Sequence, residues 1–145
     1  MDRMKTHEFI QQVVDDLRPR LPDEWRAYQL RRHGNQFQLH YGKPYLHYEV
    51  WVDHRFDHVE IGLHCEADGA TNQRLLAFFD RHLIEIRDTS GEPLEAEHWT
   101  PSWTRVHHVV KFDQLNPPLA GRVAHSLAQL ISVLQPILED ALLDS

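Results

Sequence analysis

Four side chains in the first half of this chain, His40, His47, Glu49 and His64, combine into a recognisable set of metal donors. Neutral imidazole nitrogen together with carboxylate oxygen suits zinc, nickel or iron. Their spacing is what makes the set worth considering. Residues 45–53 and 58–66 alternate apolar and polar at period two, the pattern of a β-hairpin with one dry face. Leu46, Tyr48, Val50 and Val52 then project to one side, joined by Val59, Ile61, Leu63 and Cys65 from the partner strand. The opposite side carries His47, Glu49, Asp53, His58, Glu60, His64 and Glu66. If Asp53 pairs with His58, His47 stands opposite His64 with Glu49 on the diagonal, whereas a slip of two residues puts Glu49 opposite His64. His40, on the preceding strand, adds a third nitrogen. A solvated sheet face has the same composition. The reading adopted here is a non-catalytic domain without a cofactor, with the metal set His40, His47, Glu49 and His64 as the alternative.

Other chemistries find less support. Cys65 is the only cysteine, which excludes an internal disulfide and a multi-cysteine zinc site, and its place on the dry face predicts a shielded thiol. There is no Gly-x-Ser-x-Gly elbow, and the glycines stand singly, as turns require, with no phosphate-cradling loop. The link Asp53-His54-Arg55-Phe56-Asp57-His58 reads as turn chemistry. A formal charge of -7 opposes non-specific binding to phosphate backbones, although protonating all 12 histidines would reverse its sign. Arg26, Arg31, Arg32 and His33, interleaved with Trp25 and Tyr28, therefore read as a charge-protected edge strand and not as a nucleic-acid surface. Trp99 and Trp103, flanking Pro101, either anchor a protein partner or close over the core.

The elements that position these residues follow from periodicity. A chain of 145 residues fits one domain, residues 1–145. Ile10, Val13, Val14, Leu17 and Leu21 predict a first helix over residues 6–17, stopped by Pro19 and Pro22. Strands are expected at 25–32 and 36–41, ahead of the hairpin. A helix of about four turns is expected from residue 71 or 72 to 86, on the stripe Leu75, Leu76, Phe79, Leu83 and Ile86. Asp88-Thr89-Ser90-Gly91 reads as a turn, followed by extended segments at 92–98 and 103–112. Asn116 begins a closing helix that Pro136 should kink or split. Its apolar arc, which includes Leu127, Leu130, Ile131, Leu134, Ile137, Leu138, Leu142 and Leu143, is wider than one core face requires and predicts cover from a second chain. The expected fold is α+β, a two-layer sandwich of mainly antiparallel sheet with helices on one face, in the order α-β-β-β-β-α-β-β-α. No apolar run approaches the roughly 18 residues of a membrane span, and the polar first residues predict a cytoplasmic protein.

Over residues 59 to about 138 the chain resembles a prokaryotic domain of unknown function found beside nuclease-like modules. The residues that carry the likeness are Val59-Glu60-Ile61, Leu83-Ile84-Glu85-Ile86, Gly91-Glu92-Pro93-Leu94-Glu95, Arg105-Val106 and Pro136-Ile137-Leu138. In that family a tryptophan closely follows the Pro-Leu pair, whereas here Ala96 and Glu97 intervene and Trp99 comes later. The resemblance implies accessory work beside a nuclease and supplies no catalytic residue. The element order is also similar to that of small acidic secretion chaperones, which dimerise and bind extended client segments. The reading adopted is a protein-binding domain, homodimeric through the wide arc of the closing helix, with accessory work beside a nuclease or nucleic-acid-processing system as a further alternative.

Overall fold

Period-two alternation between residues 29 and 66 folds as four consecutive strands, β1 (Gln29–His33), β2 (Gln36–His40), β3 (Leu46–Asp53) and β4 (His58–Cys65). A computed structural model describes residues 3–143. Helix α1 (Thr6–Leu17) precedes the strands, and α2 (Gly69–Arg81), α3 (Leu83–Ser90), β5 (Glu95–His98), β6 (Thr104–Lys111) and α4 (Pro117–Leu143) follow. The protein is therefore α+β, and the described residues form four α-helices and one six-stranded sheet in the order β1-β2-β3-β4-β6-β5, each neighbouring pair antiparallel.

The central hairpin takes the register inferred from its turn. Asp53 pairs with His58, His47 with His64, and Glu49 with Gly62. Asp53 Oδ1 accepts from the backbone N–H of Arg55 at 3.0 Å, and Asp57 closes the turn in the left-handed region at φ 50°. On the dry face Tyr48, Val50, Val52, Val59, Ile61, Leu63 and Cys65 join Phe9, Ile10 and Val13 of α1, Leu75 and Phe79 of α2, and Leu127 and Ile131 of α4 in one core.

Several expectations need correcting. The helix expected over 71–86 begins earlier, at Gly69, because Asp68 caps it by accepting from Thr71 N–H at 3.0 Å. It also breaks at His82 (φ -105°, ψ 11°), so α3 is a separate helix. That helix runs through Ser90, and Gly91 at φ 72° ends it, so residues 88–90 form its last turn and not a loop. Residues 25–28 lie outside β1, since Pro22 leads into a short 3-10 turn, Asp23–Trp25. Pro136 does not split α4, which stays continuous because Leu134 and Leu138 on either side of it are buried. Part of the wide arc of α4 packs into this chain's own core. Leu127, Leu130, Ile131, Leu134 and Leu138 are buried, Ile137 and Leu142 half-buried, and Leu143 exposed. By length and composition α4 could cross a membrane, yet half of its most apolar stretch is buried in the core, as befits the core helix of a globular domain.

Candidate metal centre

The polar face of the hairpin is more deeply buried than a solvated sheet face. His64 is 1% exposed, Glu60 2%, His47 3% and Glu49 7%. Each projects from β3 or β4 on the side away from the core, and β6 adds His107 and Arg105, opposite Gly62 and His64. The edge strand β5 brings Glu97 level with Arg105.

Cross-strand pairing stacks the imidazoles of His47 and His64, with ring centroids 5.7 Å apart and planes 20° apart. Each ring has one nitrogen already engaged. His47 Nδ1 lies 2.9 Å from the Pro44 carbonyl, to which it donates, and His64 Nε2 lies 2.9 Å from Glu60 Oε1. The remaining nitrogens, His47 Nε2 and His64 Nδ1, are buried without a hydrogen-bond partner, as are Glu60 Oε2 and His107 Nδ1. Among the described residues these are the only buried side-chain polar atoms left so. Both free nitrogens face one carboxylate oxygen. Glu66 Oε2 is 3.5 Å from His64 Nδ1 and 3.8 Å from His47 Nε2.

Those spacings fit a cation. Ligand atoms placed tetrahedrally at about 2.1 Å from a metal are roughly 3.4 Å apart. Two sets among the described residues bring their ligand atoms within 4.8 Å of one another: His47, His64 and Glu66, and Glu49, Glu60 and His64. Orientation of each imidazole by an acceptor on its other nitrogen is the usual support for a metal-bound histidine. Charge balance points the same way. With neutral imidazoles, the largely buried carboxylates of Glu49, Glu60 and Glu66 outnumber the single guanidinium of Arg105, and a buried surplus of negative charge needs a cation or added protons.

In the absence of a metal, protons supply that balance. Burial pushes His64 down, but its hydrogen bond to Glu60, the nearby Glu66 carboxylate and the charges of Glu60 and Glu49 lift it far above the ordinary histidine range. Burial pushes Glu60 up, but the close approach of His107, the hydrogen bond with His64 and the positive charge of both rings bring it well below the usual carboxylate range. A metal at His64 Nδ1 therefore displaces a proton.

Beyond these ligands, Glu49 Oε1 accepts from Gln38 Nε2 at 3.0 Å and lies 3.4 Å from His47 Nε2. Glu97 Oε1 takes three contacts, from His107 Nε2 at 2.6 Å and from Arg105 at 3.0 and 3.2 Å. The Arg105 guanidinium lies 5.6 Å from the centroid of Trp99, whose ring meets His64 edge-on at 5.4 Å. Trp99 and Trp103 are 40% and 37% exposed, so neither closes over the core. Their loop is pinned by Asn72, buried at the start of α2, which bonds to both backbone groups of Ala67 and to the Ser102 carbonyl, each at 2.9 Å.

His47, Glu49 and His64 are thus gathered as the spacing predicts, while His40 is not, its Nδ1 accepting instead from Gly42 N–H at 3.1 Å in the turn before β3. Glu66 takes the place expected of His40. Its signal was its position two residues after His64, on the same side. The basic strip is dispersed: Arg26 pairs with Asp23 at 3.0 Å, Arg32 bonds to Gln11 and the His7 carbonyl, and Arg18 covers Tyr28. Outside the face, His108 lies buried with its Nε2 2.7 Å from Ser126 Oγ, a contact internal to the core. Comparison of the chain with protein-family models, curated proteins and solved structures gives no match in any of the three.

Proposed function

We propose that this domain binds a divalent transition metal through His47 Nε2, His64 Nδ1 and the carboxylate of Glu66. The observation that carries the reading is the pair of buried, unpartnered imidazole nitrogens aimed at one carboxylate, each ring fixed through its other nitrogen. Two imidazoles and one carboxylate suit zinc, iron(II), cobalt or nickel better than calcium or magnesium, which take oxygen donors. Three protein ligands leave the remaining coordination positions to water or a further ligand. The reading takes the fold as a two-layer sandwich whose helices cover only the dry face.

The test is calorimetric titration of chelator-treated, untagged protein with zinc chloride. Tight binding of at least one equivalent is expected, together with quenching of indole fluorescence when copper(II) or cobalt(II) replaces zinc, since Trp99 lies against His64. At zinc one hundred times Kd, linkage adds about 2.7 kcal/mol of stability. Absence of binding below about 100 μM, or full binding by the His47→Ala, Glu66→Gln double variant, rejects the proposal.

A second reading, a homodimeric or partner-binding domain that contacts protein through Trp99 and Trp103, is supported by the exposure of both indoles on a loop held by Asn72. Loss of a co-purifying partner in Trp99→Ala, with zinc binding unchanged, would favour it.

A further inference from the structure

We infer that the polar face holds a second divalent cation beside the first, the two sharing His64, so that the centre is dinuclear. The inference rests on the metal-binding reading above and assigns the residues that reading leaves unused. The unpartnered atoms divide in two. His47 Nε2 and His64 Nδ1 face Glu66, whereas His107 Nδ1 and the Glu60 carboxylate, whose Oε2 is unpartnered, belong to the other side of the His64 ring, where His64 Nε2 and His107 Nδ1 both approach Glu60 Oε1. On that side His64 Nε2 is 2.9 Å from Glu60 Oε1 and 3.9 Å from Glu49 Oε2, and His107 Nδ1 is 3.4 Å from Glu60 Oε1. These separations bracket the roughly 3.0 to 3.4 Å expected between donors around one ion with bonds of about 2.1 Å.

Gly62 accounts for how closely these groups are brought together. It pairs with Glu49 on one side and His107 on the other, and Glu60 and His64 flank it along its own strand. A Cβ there would fall 2.5 Å from His107 Cβ and 2.9 Å from the Val106 carbonyl oxygen. The missing side chain at Gly62 thus lets β6 approach β4 closely enough to set His107 beside Glu60. Independently of these pairs, Glu60 is almost wholly buried with its Oε2 left without a partner, and one ligand atom each from Glu49, Glu60 and His64 lie within 4.8 Å of one another.

The second cation takes the place of the proton between His64 Nε2 and Glu60 Oε1. That proton leaves to solvent, no electron changes hands, and the His64 ring joins the two ions through its two nitrogens. With two carboxylates and one or two imidazoles, the position favours zinc, manganese or iron(II) over softer ions.

Metal content after zinc loading and gel filtration, measured by elemental analysis, tests the inference. Two equivalents are expected for the native protein, one for Glu60→Gln and one for His47→Ala, with folding checked by circular dichroism. One equivalent in the native protein, or two retained by folded Glu60→Gln, overturns the second position and leaves the first standing. No bound zinc overturns both. Should either variant fail to fold, copper(II) loading of the native chain decides the matter. Two copper ions joined by an imidazole couple magnetically and lose most of their ordinary electron paramagnetic resonance signal, whereas a full, uncoupled signal rejects the shared ring.

Discussion

Replacing Gly62 with alanine isolates what the sheet face demands of its backbone. The added methyl would sit 2.5 Å from His107 Cβ, 2.9 Å from the Val106 carbonyl oxygen and 3.1 Å from His107 Cα, where carbon atoms ordinarily stay about 3.5 to 4.0 Å apart. Two of those three neighbours are backbone, so no rotamer change relieves the contact. β4 and β6 must part by up to about 1 Å at this pair. Overpacking of this kind typically costs about 1 to 3 kcal/mol. At about 2 to 4 °C per kcal/mol for a chain of this size, the melting temperature of chelated protein should fall by roughly 2 to 12 °C in scanning calorimetry. Gly69→Ala is the control, since its Cβ would meet only Ser102 Cβ at 3.9 Å, and its melting temperature should hold or rise slightly. If Gly62→Ala melts with native protein, the close approach of β6 to β4 is not a constraint.

Three further outcomes are expected. In chelated protein the raised His64, at about 10, contributes stability that is complete below its ordinary 6.5 and is lost as pH rises towards about 10, while the lowered Glu60, at about 2, contributes stability present above 4.5 and lost as pH falls towards 2. Urea midpoints should therefore be highest between about pH 4.5 and 6.5 without metal, and saturating zinc should remove the alkaline decline; a decline unchanged by zinc counts against His64 as a ligand. Cys65, 1% exposed and pushed up by burial to about 12, should react with a thiol reagent slowly in native protein and fast in denaturant, and rapid native labelling refutes the burial. Phe79→Ala should cost about 3 to 5 kcal/mol in a urea melt, because Phe79 is fully buried, whereas Arg81→Ala, on the exposed side above Phe78, should stay within about 1 kcal/mol; equal effects would place the wrong side of α2 in the core.

The hairpin and its polar face were legible because two local signals agreed. Period-two alternation assigned each side chain to a face, and the Asp53 and His58 turn set the register that puts His47 opposite His64. What escaped was set by distant pairing or by single dihedral angles. β6 enters the sheet between β4 and β5, and only that placement brings His107 and Arg105 to Glu60, with Glu97 behind them. Nothing local in residues 92–112 encodes it. His40 has the right type and alternation, but Gly42 at φ 109° turns the chain so that its N–H meets the His40 ring. The break at His82 is equally silent, because Arg81, His82 and Leu83 include neither glycine nor proline.

The Asn72 side chain, fully buried, ties the end of β4, the first turns of α2 and the loop between β5 and β6 into one unit, and Thr104 Oγ1 adds a bond back to its carbonyl at 3.3 Å. A loop ending in two tryptophans would otherwise sample many arrangements. Held this way, its backbone amides should exchange with solvent at rates set by sub-global opening and not by loop fluctuation. Any molecule that settles on Trp99 and Trp103 then meets indoles already in place, with little ordering entropy left to oppose the encounter.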